Sequence, residues 1–310
     1  VGSVCRQMAY IGHKYTGICI DCCMRVLRSG PWLCARNTPL TSPFSPALSL
    51  QRRPSRSCGG PAAAMPRLVS FDVDGTLIKS IGARANQLHR EAFTAAFKQV
   101  FGIDTTIDVI PHHGSTDTLI LVAVLVVHGI PKAEAMASLP ALQQAMNSYF
   151  AANIDRAGDG LEVLPGVVDL LKALKEDTDF MTCLVTGNLE PIGWGKMQAL
   201  GLSDLFSTPH FGGFGSDFCS GNTEETWRDR AEFIRLAAMK AAGQADGPIT
   251  ARFHIGDAPM DVQAAADAGA VPLGVTTGIY TKEQLLVAAP SATILEGLGD
   301  LSKVMDILRQ

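Results

Sequence analysis

One short stretch, Phe-Asp-Val-Asp-Gly-Thr-Leu at residues 71–77, constrains the fold more than any other part of the sequence. The five residues 67–71 are mostly apolar and rich in strand formers, so they predict a buried β-strand. Asp72 and Asp74 follow at positions i and i+2, and Gly75 permits a sharp turn. A strand that ends in this way places two carboxylates at the carboxyl edge of a sheet, where open α/β folds bind ligands.

Beyond residue 165 the sequence alternates between strand and helix patterns. Strands are predicted at residues 180–185, 205–211, 252–255 and 271–275, and helices at residues 167–176, 191–200, 224–242 and 259–268. Two shorter helices are predicted in the tail, at residues 281–286 and 298–308. Strands that alternate with helices indicate an α/β fold with a doubly wound parallel sheet.

Residues 81–165 have a helical pattern instead. His89, Phe93, Ala96 and Val100 recur at i, i+4, i+7 and i+11, and Gly102 ends this first helix. Two more helices are predicted at residues 116–128 and 132–150. The sequence therefore predicts an all-helical block at residues 81–165, inserted into an α/β core formed by residues 65–80 and 166–310.

The charge of the chain is divided unevenly. Residues 1–64 hold eight Lys or Arg residues and one acidic residue, a net charge of +7. The whole 310-residue chain has a net charge of −4, so residues 65–310 carry −11. An acidic body does not suit nucleic acid, whose phosphates need positive charge. The longest apolar run, residues 119–127, is shorter than the roughly 20 residues of a membrane span, so we expect neither nucleic acid nor membrane as a partner.

Residues 1–64 also hold six of the eight cysteines, and residues 38–61 are rich in Ser, Pro and Arg. An organellar transit peptide is Arg- and Ser-rich and poor in acids, as this segment is. A disulfide or metal module is a second interpretation, although the adjacent Cys22 and Cys23 and the lack of paired C-x-x-C units argue against zinc. We favour a third, translation from Met65, which gives a cytoplasmic protein; a transit peptide would give a mitochondrial or plastid one.

Two more motifs follow predicted strands. Thr186 ends the strand at residues 180–185, so its hydroxyl and the amide of Gly187 can point at an anion near a helix start. On its own, Thr-Gly-Asn at residues 186–188 is a common turn. The segment His-Ile-Gly-Asp-Ala-Pro-Met-Asp at residues 254–261 supplies Asp257 and Asp261. Asp257 also suits a helix N-cap, since Pro259 is favoured in a first helical turn.

In this order, the Asp-x-Asp-Gly-Thr-Leu, Thr-Gly-Asn and Gly-Asp-x-x-x-Asp motifs resemble those of the haloacid dehalogenase superfamily of hydrolases. The resemblance covers nearly all of residues 65–310, and within the superfamily the chain is similar to the phosphoglycolate phosphatases. It implies a Rossmann-like core over which the helical block forms a cap. It also implies that Asp72 is a nucleophile that forms an aspartyl-phosphate. Asp74 would protonate the leaving group and then activate the water that hydrolyses this intermediate.

The same resemblance implies a Mg²⁺ cofactor, a cation that prefers oxygen ligands. Asp72, the backbone carbonyl of Asp74 and Asp257 would bind the ion, and Asp261 would orient the ligands around it. Thr186, Gly187 and Asn188 would bind the phosphate of the substrate.

The chain departs from the family pattern at the third motif, where related phosphatases carry a Lys in a Lys-Pro-x-Pro segment. The corresponding residues 225–231 contain no Lys. A cation is still needed beside four carboxylates, and Lys196 and Arg230 are the candidates. We predict that Lys196 takes the role and lies within reach of the Asp72 carboxylate, with Arg230 as the substrate-binding alternative.

These features predict a magnesium-dependent phosphatase that acts on a small phosphate ester. Dehalogenases of this fold lack the second carboxylate, so Asp74 argues against carbon–halogen chemistry. A β-phosphoglucomutase-like mutase uses the same two aspartates and stays an alternative. A non-catalytic binding protein on the same fold is another, but the four motif carboxylates are all present. His89 could meet the substrate or be a buried structural residue. The sequence leaves the substrate and the oligomeric state open.

Overall fold

The computed structural model describes residues 66–245 and 247–310, so the interpretations of residues 1–64 lie outside the described residues. A six-stranded sheet forms the centre of this part of the chain, with strand order β5-β4-β1-β6-β7-β8 and every pair parallel. Strands β2 and β3 form a separate antiparallel pair. The strands are β1 (Arg67–Phe71), β2 (Ile78–Ser80), β3 (Leu161–Val163), β4 (Phe180–Thr186), β5 (Gly212–Phe214), β6 (Arg252–Gly256), β7 (Val271–Val275) and β8 (Thr293–Leu295).

Ten α-helices lie within the described residues. The first four lie between β2 and β3: α1 (Gln87–Phe101), α2 (Asp117–Val127), α3 (Lys132–Ala137) and α4 (Leu139–Ala152). The other six belong to the sheet domain: α5 (Val167–Glu176), α6 (Glu190–Ala199), α7 (Trp227–Gln244), α8 (Pro259–Asp267), α9 (Lys282–Ala288) and α10 (Leu301–Leu308). The predicted α/β class with a doubly wound parallel sheet is confirmed. None of the described helices has the combination of length and apolar character that crossing a bilayer requires.

The sheet is covered on both faces, as expected for parallel strands. Along β1, Val69 and Phe71 pack into one hydrophobic cluster with α5, α6 and α10. Leu68 faces the opposite cluster, to which α7 and α8 contribute. Because side chains alternate along a strand, α6 and α7 lie on opposite faces of the sheet.

The segment between β2 and β3, residues 81–160, is called the helical insertion here. Its helices share a hydrophobic cluster that includes Phe93, Phe97 and Leu121 and that extends to Leu189 and Ile192 at the start of α6. The predicted single helix at residues 132–150 is wrong, because the chain forms α3 and α4 with a break at Ser138. Pro140 lies in the first turn of α4, where its missing N–H is tolerated. The predicted all-helical block, which ends at residue 165, is also too long. Its last residues include β3, which pairs with β2.

The third core strand lies later in the sequence than predicted. Residues 203–205 form a 3₁₀ turn, and β5 is the glycine-rich segment that follows the predicted strand at residues 205–211. A Cβ at Gly213 would lie 2.0 Å from the carbonyl oxygen of Phe233 in α7. At Gly212 it would lie 2.2 Å from the carbonyl oxygen of Leu184. The glycines are therefore needed because backbone packs closely against both positions.

Candidate active site

Three loops that follow neighbouring strands meet at the carboxyl edge of the sheet. Phe71 of β1 is in register with Leu184 of β4 and with Ile255 of β6. The residues just beyond these strand ends are therefore brought together. One cavity of about 500 Å³ is lined by all of the predicted site residues except Lys196: Asp72, Asp74, Thr186, Gly187, Asn188, Arg230, Asp257 and Asp261.

Three of the predicted carboxylates form a buried acidic cluster. Asp72, Asp257 and Asp261 each offer an oxygen atom, and these atoms lie within 4.8 Å of one another. Thr76 Oγ1 donates a hydrogen bond to Asp257 Oδ1 over 3.2 Å. A Cβ at Gly278 would lie 1.8 Å from Asp257 Oδ2, so the loop after β7 closes directly onto this carboxylate.

The burial of the acidic cluster changes the pKa values of its members. Burial, together with repulsion from Asp261, raises the pKa of Asp72 to about 7. Burial and the Asp72 charge raise the pKa of Asp257 to about 8. Burial acts in the same direction on Asp261, but the charge of Arg230 outweighs it and lowers the pKa of Asp261. Negative charge at Asp72 and Asp257 is therefore unfavourable without a further cation.

Arg230 is the cation that lies over Asp72. It is buried in the first turns of α7, and its Nη1 donates a hydrogen bond of 2.8 Å to Asp72 Oδ1. The same Nη1 atom lies 2.8 Å from Asp261 Oδ1. Burial disfavours a charged guanidinium, but Asp261 and Asp72 outweigh this and raise the pKa of Arg230. Its Nε atom is buried and has no hydrogen-bond partner among the described residues.

Lys196 lies beside Asp74, so the predicted contact of Lys196 with Asp72 is wrong. The ammonium donates hydrogen bonds of 2.9 and 2.7 Å to the two oxygens of Asp74. Burial favours the neutral carboxyl of Asp74, but Lys196 outweighs it and lowers the pKa of Asp74. The physical reason for the difference is topological: α6 carries Lys196 on one face of the sheet, and α7 brings Arg230 from the other.

Thr186, Gly187 and Asn188 form the loop between β4 and α6. Asn188 Nδ2 donates to Asp74 Oδ2 over 2.9 Å and to Thr186 Oγ1 over 2.7 Å. Because Thr186 Oγ1 accepts this bond, its own proton is left to donate into the cavity. The Gly187 carbonyl accepts a 2.8 Å hydrogen bond from the backbone of Asp117 in the helical insertion. A Cβ at Gly187 would lie 2.7 Å from the carbonyl oxygen of Ser115, so this glycine permits close packing of the insertion.

Asp117 was not among the predicted site residues. Its position at the start of α2 suggests only a charge at a helix N-terminus. In the structure Asp117 is buried, and its Oδ2 accepts hydrogen bonds from Leu189 N at 2.8 Å and from His89 at 2.9 Å. No short-range sequence signal reveals this role, because both partners come from other parts of the chain.

The predicted metal-binding residues are not equivalent in their positions. The Asp74 side chain is held by Lys196 and lies outside the acidic cluster, so only its backbone carbonyl is a candidate ligand. Asp261 Oδ2 accepts a 2.9 Å hydrogen bond from the backbone of Ala258, which fixes this carboxylate at the start of α8. Its Oδ1 contacts Arg230 but has no hydrogen bond of acceptable angle among the described residues.

Comparison with known proteins agrees with this architecture. The family model of the haloacid dehalogenase-like hydrolases matches residues 66–269, which is more than half of the chain. The chain therefore belongs to the haloacid dehalogenase-like hydrolase family, as the sequence motifs indicate. A comparison with curated protein sequences finds no significant match.

Several solved structures share the fold. A hydrolase from Pseudomonas syringae is 20% identical, with a TM-score of 0.50 over 78% of this chain and 98% of that one. A protein from Clostridium acetobutylicum described as a predicted phosphatase is 18% identical, with a TM-score of 0.52 over 79% and 100%. A protein from Bacteroides vulgatus assigned as a β-phosphoglucomutase is 20% identical, with a TM-score of 0.50 over 80% and 90%. At these identities the similarities concern the fold.

Proposed function

We propose that this protein is a magnesium-dependent phosphatase that hydrolyses a small phosphate ester through an aspartyl-phosphate on Asp72. One observation carries the proposal. Asp72 lies in a buried carboxylate cluster with Arg230 on one oxygen, and it shares its cavity with Asp74, which is paired with the buried Lys196. A nucleophile, a proton-transfer group and cations around the phosphoryl oxygens are the parts that phosphoryl transfer requires. A non-catalytic binding protein would not need this combination.

The residues fit a Mg²⁺ ion. Asp72, Asp257 and the backbone carbonyl of Asp74 would hold it with hard oxygen ligands, and Asp261 would lie beside them. The raised pKa values of Asp72 and Asp257 support this assignment, because a divalent cation would offset the repulsion that raises them. When bound, the ion would neutralise the charge that builds up on the phosphoryl oxygens.

The proposal assigns the side chains to two steps. Arg230 occupies Oδ1 of Asp72, so Oδ2 would attack phosphorus while the bond from phosphorus to the leaving oxygen breaks. Asp74 would give a proton to that oxygen. In the second step Asp74 takes a proton from water, whose oxygen attacks phosphorus and releases Asp72. Lys196 keeps Asp74 ionised, which suits the second step. In the first step Asp74 would therefore take the proton of a monoanionic ester and pass it to the leaving oxygen, and the proton taken from water in the second step would leave with the phosphate.

A panel of phosphate esters, assayed for phosphate release with and without Mg²⁺, tests this function. The proposal requires release that depends on the metal and on Asp72. A phosphosugar mutase would use the same two aspartates. It would convert a sugar phosphate into an isomer without releasing phosphate, so both products should be measured for sugar phosphates. If none of the esters released phosphate, the proposal would be contradicted.

The first prediction concerns pH and metal. In the unfolded chain Asp72 and Asp257 have the ordinary carboxyl pKa of 3.8. In the folded protein the pKa of Asp72 is about 7 and that of Asp257 is about 8. At pH values between the unfolded and folded pKa values, the folded protein binds more protons than the unfolded chain does. The stability of the metal-free protein therefore falls as pH rises through this range. Added Mg²⁺ competes with those protons. We expect it to raise the melting temperature more at about pH 8 than at about pH 5.

Differential scanning fluorimetry in EDTA or in Mg²⁺ provides the measurement. Asp72→Asn removes one of the two titrating carboxylates and should weaken the pH dependence. A melting shift on adding Mg²⁺ that is the same at both pH values would contradict the metal assignment.

The second prediction concerns Gly278. A Cβ at this position would lie 1.8 Å from Asp257 Oδ2, so Gly278→Ala must displace the carboxylate. We expect the affinity for Mg²⁺ to fall by about 10- to 100-fold, the usual effect of disturbing groups that orient a metal ligand. Gly299→Ala is a matched control, since a Cβ there has no neighbour within 4 Å. Calorimetric titration with Mg²⁺ measures both variants, and equal affinities would show that Asp257 does not bind the ion.

A further inference from the structure

A run of buried side chains joins the helical insertion to Asp74. His89 Nε2 lies 2.9 Å from Asp117 Oδ2, and His89 Nδ1 lies 3.3 Å from the Lys196 ammonium. Lys196 in turn binds both oxygens of Asp74. The side chains of Asp117, His89 and Lys196 are at most 8% exposed, so water does not compete for these contacts.

The hydrogen bonds of Lys196 fix the protonation of His89. An ammonium group has three protons and accepts no hydrogen bond. It contacts four acceptor atoms: both oxygens of Asp74, Asn188 Oδ1 at 2.9 Å and His89 Nδ1 at 3.3 Å. A protonated Nδ1 would place a second donor against the ammonium, so the geometry favours an unprotonated Nδ1 and a proton on Nε2 that is donated to Asp117. His89 is thus the neutral Nε2–H tautomer.

Asp117 is itself fixed to the sheet domain. Its Oδ2 also accepts the 2.8 Å hydrogen bond from Leu189 N, and its backbone N–H donates to the Gly187 carbonyl over 2.8 Å. The residue that orients His89 is therefore held by the same loop that carries Asn188. His89 also stacks on Phe93, with ring centroids 5.1 Å apart, which limits rotation of the imidazole.

We propose that His89 and Asp117 are positioning residues: they hold the Lys196 ammonium against Asp74 and so place Asp74 for proton exchange with the leaving oxygen. The inference rests on the proposed phosphatase function. Asp117 sets the tautomer of His89, and the Nδ1 lone pair of His89 faces the Lys196 ammonium from the side of the helical insertion. Without that contact, only Asp74 and Asn188 orient the ammonium, and Lys196 can shift relative to Asp74.

Two substitutions of His89 separate its two nitrogen atoms. Asn places an amide oxygen near the position of Nδ1 and keeps an acceptor for Lys196. Gln places an amide N–H₂ near the position of Nε2 and keeps only the bond to Asp117. The proposal therefore expects H89N to retain more activity than H89Q. A role limited to anchoring Asp117 would give the opposite order.

The measured quantity is kcat, compared between esters that differ in their leaving group. An alkyl ester such as glycerol 3-phosphate needs a proton on its leaving oxygen, whereas p-nitrophenyl phosphate does not. We expect H89Q to lower kcat for glycerol 3-phosphate by about 10²-fold, the lower range of general acid catalysis. The effect on p-nitrophenyl phosphate should be only a few-fold, and KM should change little for either. An equal fall for both esters, or no fall, would overturn the proposal.

His128→Gln is the control, because His128 is another histidine of the insertion with a side-chain hydrogen bond, to Thr105 Oγ1 at 2.8 Å. It should leave both rates unchanged. Nuclear magnetic resonance of ¹⁵N-histidine-labelled protein supplies a test independent of activity. The His89 signals, identified by their loss in H89N, should show the Nε2–H tautomer at neutral pH. An Nδ1–H tautomer or an imidazolium would refute the inference, whereas a wild-type protein that releases phosphate from no ester of the panel refutes the phosphatase function alone.

Discussion

Replacing Asp72 by Asn is expected to abolish phosphate release while leaving the fold intact. The amide has nearly the same shape as the carboxylate but cannot attack phosphorus. Loss of a nucleophile typically lowers kcat by about 10⁴-fold or more. The variant should remain folded, because removing one charge from the cluster also removes repulsion with Asp257 and Asp261. Steady-state phosphate release and a melting curve measure the two properties.

The matched control for this prediction is Asp267→Asn. Asp267 is a half-exposed carboxylate that pairs with Arg235, away from the cavity, and its replacement should leave turnover unchanged. Rapid quenching of the wild-type protein with a labelled ester should in addition attach the label to a peptide that contains Asp72. Near-normal turnover of the Asn variant would rule out an aspartyl-phosphate on Asp72.

The second large effect concerns the two buried cations, Arg230 and Lys196. Arg230→Met leaves Asp72 and Asp261 without their shared partner, so Asp72 should lose much of its nucleophilic carboxylate form. We expect a fall of about 10²–10³-fold in kcat, the usual cost of removing one group that stabilises the transition state. Because the attack step is affected, alkyl and aryl esters should slow alike. The sequence alone favours the opposite ranking, with Lys196 as the more important residue.

Lys196→Met should act on proton transfer instead, so it should slow an alkyl ester much more than an aryl ester. Lys240→Met serves as the control for both variants, since Lys240 lies on α7 and pairs with Asp217 at 3.3 Å, outside the cavity. Removing one partner of a buried ion pair costs about 3–5 kcal/mol. Melting curves should therefore accompany the kinetics, and Arg230→Lys keeps the charge if Arg230→Met does not fold. Identical leaving-group profiles for the Arg230 and Lys196 variants would contradict separate roles.

The sequence predicted those parts of the molecule that depend on local pattern. The apolar strand before Asp72 and the alternation of strands with helices were sufficient for the α/β class. The motif order then indicated which strand ends would meet. Pairing in register explains why this works, since residues one or two positions beyond β1, β4 and β6 must share an edge of the sheet.

Features that depend on contacts between distant segments could not be predicted. Gly212 and Gly213 have loop composition, and nothing in their local sequence shows that α7 and β4 approach their backbone closely. The partner of Lys196 depends on which face of the sheet carries α6, which single-sequence spacing does not specify. The contact of Asp117 with Leu189 joins residues 72 positions apart, and neither residue has a motif that suggests it.

The arrangement of the two cations has a consequence for how such a site can change over time. Arg230 and Lys196 belong to separate helices that lie on opposite faces of the sheet. A substitution that shifts α7 alters the surroundings of Asp72, and one that shifts α6 alters those of Asp74. Selection or design can therefore adjust the environment of Asp72 and that of Asp74 through different sets of packing residues. The surroundings of one carboxylate can change without undoing those of the other.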